Sequence, residues 1–167
     1  MSKAKHKESP ETDKLESARR QGQAQFDSIK EMVAALEKAN DAAQFQPSGN
    51  FDEANEEARR AIEEDALSVQ VRSGWYQPGA AIEDTTPSEY EILLCTGGPA
   101  CRIIGELDEH GQPSTARMEV QDWFQPWTEI RPLVERKITA EYPGCQENYD
   151  SEPILLDYAR CFYFGEG

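Results

Sequence analysis

The chain has 167 residues and a formal net charge of −15, with 29% charged and 38% hydrophobic residues. That length supports one domain with a core, and no apolar run approaches the roughly 18–20 residues that cross a bilayer. The acidity excludes direct binding to nucleic acid through Lys and Arg that neutralise phosphates, and it favours attraction to basic protein surfaces.

Residues 1–24 hold six basic residues (Lys3, Lys5, Lys7, Lys14, Arg19, Arg20) against four acids (Glu8, Glu11, Asp13, Glu16). Their net charge of +2 leaves −17 for the remainder. With few aromatics and no sustained period they read as a flexible basic tail ahead of a single acidic domain, residues 25–167. Ser9-Pro10-Glu11 has the grammar of a helix start, which Gly22 opposes. The segment lacks the apolar stretch of a secretory signal, so the expected location is cytoplasmic and the four cysteines (Cys95, Cys101, Cys145, Cys161) are expected as thiols.

Phe26, Ile29, Val33 and Leu36 recur at helical spacing and predict a helix over about 26–43. Pro47 and Gly49 break it. Asn50 and Glu53 resemble a capping box that opens a second helix, about 51–66. Ala54, Ala58, Ala61 and Ile62 give it a narrow apolar face, while Glu53, Glu56, Glu57, Glu63, Glu64 and Asp65 give it a broad acidic one interrupted by Arg59 and Arg60. Acids near a helix start and on a solvated face need no function to explain them.

Period two then takes over. Leu67, Val69 and Val71 alternate with Ser68, Gln70 and Arg72, which predicts a strand with one buried face. "YEILLCT", "CRIIGEL" and "ARMEVQDW" supply three more strands, so the expected sheet spans about 67–124 as a four-stranded antiparallel meander. "QPWTEIRP" ends it, and C-terminal helices follow over about 131–164, in "PLVERKITAEY" and "PILLDYARCFYF". The fold class is α+β, with helices packed on the sheet.

"CTGGPAC" sits between two of these strands. Gly97-Gly98 supplies positive φ angles for a hairpin, and one register of that turn sets Cys95 opposite Cys101. The spacing is not that of a zinc knuckle, the motif is not C-x-x-C, and the glycines lead into a strand rather than a helix. The turn therefore reads as structural, and no cofactor or metal is implied. An enzyme using Cys95 or Cys101 with His110 is the competing reading, and it requires those groups to meet in space.

Trp75, Tyr76, Trp123, Phe124 and Trp127 lie at strand ends, with Asp122 and Glu129 beside the later group. Aromatics there commonly cap a core; as a recognition surface they would select a basic partner. Three hairpin reversals put Trp75 and Trp123 at opposite ends of the sheet. A third class, self-association into a homodimer or particle, would pair Phe26–Leu36 helices between chains.

With "EDALSVQVRSGWYQPG", "EILLCTGGPACRIIGELD" and "QDWFQPWTE" in view, residues 62–164 resemble a group of small acidic accessory proteins of bacterial phages, plasmids and integrated elements. The resemblance implies a compact protein and no assigned activity. By analogy of charge and context, DNA-mimic inhibitors of restriction and CRISPR systems suggest a partner: a basic, nucleic-acid-processing host protein. The expected contacts are Glu53, Glu56, Glu57, Glu63, Glu64, Asp65, Trp75, Tyr76, Asp122, Trp123, Trp127 and Glu129.

Overall fold

The computed structural model describes residues 10–45, 51–80, 86–134 and 150–165. In chain order they form α1 (Pro10–Phe45), α2 (Phe51–Asp65), β1 (Ser68–Ser73), β2 (Pro87–Cys95), β3 (Ala100–Glu106), β4 (Arg117–Gln121), β5 (Thr128–Ile130) and α3 (Glu152–Ala159). The five strands pair antiparallel in sequence order, so the sheet is a meander within an α+β fold.

The sequence reading placed four strands here, and the fifth is Thr128–Ile130, inside the segment read as the end of the sheet. A strand of that length shows less than two full alternations, so it leaves no period to read.

Helix α1 departs from the expected tail. It runs unbroken from Pro10, so residues 10–24 are helical and only 1–9 of that segment lie outside the described residues. Gly22, read as an obstacle to the helix, is where α1 crosses the sheet. A Cβ there would lie 2.3 Å from Ile130 Cδ1 and 2.7 Å from Val120 Cγ1, so any side chain would have to displace the packing of those two residues. The loss of helix propensity, about 1 kcal/mol, is exchanged for a close approach of α1 to the sheet.

From that crossing α1 turns one stripe inward. Phe26 and Ile29 are fully buried, with Val33 and Leu36 nearly so. They meet Ile62 of α2, Ile92, Ile103, Met118 and Val120 of the sheet, and Leu155 and Tyr158 of α3 in one core. Each such side chain contributes roughly 1.5–3 kcal/mol on burial. The Phe26–Leu36 stripe is therefore consumed inside the monomer and is not free to pair between chains.

α3 is the C-terminal helix that the pattern predicts, with Pro153 in its first turn and Leu155, Tyr158 and Ala159 buried. The expected helix in "PLVERKITAEY" is not found in its described part: Pro132–Val134 is irregular, and residues 135–142 lie outside the described residues.

Strand β1 also differs from expectation. Val69 and Val71 pair with Ile92 and Tyr90 and share their face, yet Leu67, Val69 and Val71 are 60, 37 and 43% exposed. The strand is the edge of the sheet, and the helical layer stops short of it. Alternation marks which side chains share a face; it does not say whether that face is covered.

Candidate functional site

Helix α2 packs on α1 and is the most strongly acidic surface element. Ile62 is its one fully buried described side chain and Ala58 is half-buried, so a narrow inner stripe holds it in place. Ala54 and Ala61, expected on that stripe, are exposed. Glu53, Glu56, Glu57, Glu63 and Glu64 all face solvent, with Arg59 and Arg60 between the two groups of acids. Glu56, Glu57, Glu63 and Glu64 make no ion pair or hydrogen bond among the described residues. On a rise of 1.5 Å per residue, Glu57 and Glu64 stand roughly 10 Å apart along the helix.

Asp65 does not belong to this row. It is half-buried, and the Tyr158 hydroxyl donates to its Oδ2 at 2.8 Å, tying the end of α2 to α3. Burial, with the hydrogen bond to Asp65 second, raises the Tyr158 phenol well above its ordinary range. Asp65 is a structural acid.

The expected aromatic contacts divide in the same way. Trp75 and Tyr76 are exposed just beyond β1, at the end of the sheet where β3 leads into the 107–116 loop. Trp123 is exposed beyond β4, at the opposite end, beside the "CTGGPAC" turn. The two aromatic sites are thus separated by the length of the sheet.

Trp127 has a fold role. Its ring centroid lies 4.1 Å from Arg102 Cζ, on the face of the sheet opposite the core, where none of the described helices packs. Arg102 donates from Nε and Nη2 to Glu119 Oε2 at 2.9 and 2.7 Å, and from Nη1 to Glu91 Oε2 at 2.5 Å. One guanidinium thus links β2, β3 and β4 beneath an indole. Glu129 stands opposite Glu119 across the β4–β5 ladder, 3.9 Å from Arg131.

Asp122 and Gln125 bracket a tight turn, with the Gln125 N–H donating to the Asp122 carbonyl at 2.9 Å. Within it Phe124, one of the strand-end aromatics but not among the expected contacts, is 98% exposed and holds a left-handed backbone, φ 59°. Such a conformation is unusual for a bulky residue. The signal available in the sequence was the run Trp-Phe ahead of Gln-Pro, which marks a turn that displays an aromatic.

The "CTGGPAC" turn is a hairpin. Cys95 and Cys101 are register partners, with Leu94 forming a bulge beside them, and both are free thiols. Gly98 has φ +88°, and a Cβ on it would fall 2.3 Å from the Trp123 indole nitrogen. Burial pushes the Cys101 thiol up to about 12 and also raises Cys95, which is half-buried near Gln21. Raised thiols are protonated and poor nucleophiles.

His110 sits in the exposed loop that Asp108 caps, with Asp108 Oδ1 accepting the His110 and Gln112 N–H groups at 2.8 Å each. Those two backbone hydrogen bonds lower the Asp108 carboxyl. The loop lies at the far end of β3 from Cys101, about 20 Å away on the rise of a strand. The thiol–imidazole pairing that the enzyme reading requires is therefore not formed.

The described residues form clefts of about 620 and 270 Å³. The larger lies between β4, β5 and the start of α3, the smaller on the open face beside Arg72 and Arg102. Neither is lined by a cysteine or histidine. Among the described residues no group of three or more His, Cys, Asp or Glu side chains is placed to hold a metal ion, and no helix is long and apolar enough to cross a membrane.

No protein-family model, curated protein or solved structure matches the chain.

Proposed function

We propose that the protein is a non-enzymatic binding protein whose α2 surface engages a basic patch on another protein, of the kind that holds nucleic acid. The observation that carries this reading is the set of solvent-facing carboxylates Glu56, Glu57, Glu63 and Glu64, which neither the fold nor a neighbouring cation uses. Solvent-facing carboxylates on a helix displace the ions around a basic groove much as phosphates do. In the setting of a phage or mobile element, the partner class is a restriction or CRISPR effector, and occupancy of its groove would inhibit it.

The test uses two baits side by side, the wild-type chain and the variant E56Q/E57Q/E63Q/E64Q, against a bacterial lysate at about 50 mM salt, eluted in rising salt. The proposal expects a basic nucleic-acid-binding protein on the wild-type bait, released as salt rises and absent from the variant. Equal recovery on both baits, or no salt-released protein on the wild type, overturns it.

A further inference from the structure

The edge of the sheet at β1 is built differently from the edge at β5. Strand β5 has three residues, with Glu129 at its centre and Arg131 just beyond. Brevity and charge are the usual protections of an exposed edge. Strand β1 has six residues, Ser68-Val69-Gln70-Val71-Arg72-Ser73, with no proline, lysine or glycine, and its pairing with β2 is regular up to Arg72. Among the described residues β2 is its one hydrogen-bonded neighbour, so β1 is the edge strand, and Leu67, Val69 and Val71 beside that edge are exposed.

We propose that β1 is a self-pairing edge, through which two copies of the chain join their sheets by an antiparallel β1–β1 contact about Val69. The sequence around that residue is self-complementary. With Val69 on the two-fold axis, Leu67 of one copy meets Val71 of the other, and Val69 meets Val69, so all three exposed apolar positions face apolar partners. Gln70 pairs with Ser68, and no like charges meet. Arg72 stays ion-paired with Glu89 on the open face, and in this register it stands opposite the uncharged Ala66 of the other copy.

Charge also explains why a second copy meets this edge. Two bodies of the same sign repel over most of their surface, and Ala66–Gln70 is a stretch without a charged residue in a chain of net charge −15. The contact is small, so the dimer is weak and depends on concentration. Added salt screens the repulsion between the bodies and strengthens the dimer. The same salt weakens the α2 complex of the proposed function, so the two surfaces are told apart by the sign of their salt dependence.

The experiment is sedimentation equilibrium of the full chain from about 10 μM to 1 mM, at about 50 and 500 mM salt, for wild type and V69K, since small interfaces give affinities in this range. Expected is a wild-type dimer that tightens at high salt. V69K, which sets two ammonium groups face to face, should weaken it at least about 10-fold, the loss expected from one buried valine. A second measurement is independent of that variant's folding: oxidative cross-linking of V69C, which lies on the axis, against V71C, whose partner is Leu67, and against the wild type. V69C should form the covalent dimer fastest. A monomer at every concentration and salt, or V71C cross-linking as fast as V69C, overturns the proposal.

Discussion

The two faces of the sheet are built on different physics. The covered face buries Ile92, Ile103, Met118 and Val120 beneath α1 and α3, and its stabilisation comes from excluding water and filling volume. Among the described residues no helix lies over the open face, and its centre is ionic: Arg102 between Glu91 and Glu119, capped by Trp127. The first kind of contact tolerates no change of volume, the second no change of charge. The outer side of α2 belongs to neither, and its carboxylates face solvent.

The covered face should show the largest effect. Ile103→Ala leaves a cavity under α1 and should lower stability by about 2–5 kcal/mol in urea unfolding. A loss under about 1 kcal/mol would mean that the helices do not pack on the sheet as described.

On the open face, Arg102→Met keeps most of the side-chain volume and removes the charge, leaving Glu91 and Glu119 without their shared cation. A loss of about 2–4 kcal/mol is expected, scaled down from fully buried pairs because Arg102 keeps some exposure. Adding E91Q and E119Q to that variant should recover part of the loss. Without recovery, the packing of Trp127 rather than the ion pairs would hold this face together.

High pH sharpens the contrast. Burial raises the Cys101 thiol from 9.0 to about 12 and raises the Tyr90 and Tyr158 phenols above their ordinary 10.0. In each case the folded state keeps its proton where the unfolded chain has lost it, so these groups' stabilisation is whole below pH 9 and declines as pH rises above it. The slope should reach roughly 1.4 kcal/mol per pH unit for each group inside its window. A melting temperature constant from pH 8 to 11 would contradict the burial of all three.

The smallest effect belongs to α2. E56Q/E57Q/E63Q/E64Q should change stability by no more than about 0.5 kcal/mol, as for exposed residues without partners. A larger loss would mean that these acids serve the fold.

Much of this contrast was legible in the sequence. Helical spacing marks Phe26, Ile29, Val33 and Leu36 as a core stripe, and Gly97-Gly98 between apolar strands marks a hairpin; both are found, and of the registers the turn left open the structure takes the one that sets Cys95 against Cys101. What was not legible depends on contacts between distant segments. Gly22 reads as a helix breaker until Val120 and Ile130 are seen against it, and β5 is too short to show a period. Leu67, Val69 and Val71 alternate as a buried strand does, and only the reach of the helical layer leaves them exposed. Asp65 and Trp127 could not be separated from their neighbours by residue type. Tyr158, 93 residues away, and Arg102 on another strand are what assign them to the fold.

The most direct test of the central claim is to titrate the wild-type chain and E56Q/E57Q/E63Q/E64Q with a basic DNA-binding protein loaded with labelled duplex, following release of the DNA by fluorescence anisotropy. The account predicts that the wild type displaces the duplex at low salt, that displacement weakens steeply as salt rises, and that the equally stable variant fails at the same concentration. Equal displacement by both proteins, or none by either across a panel of such DNA-binding proteins, would contradict it.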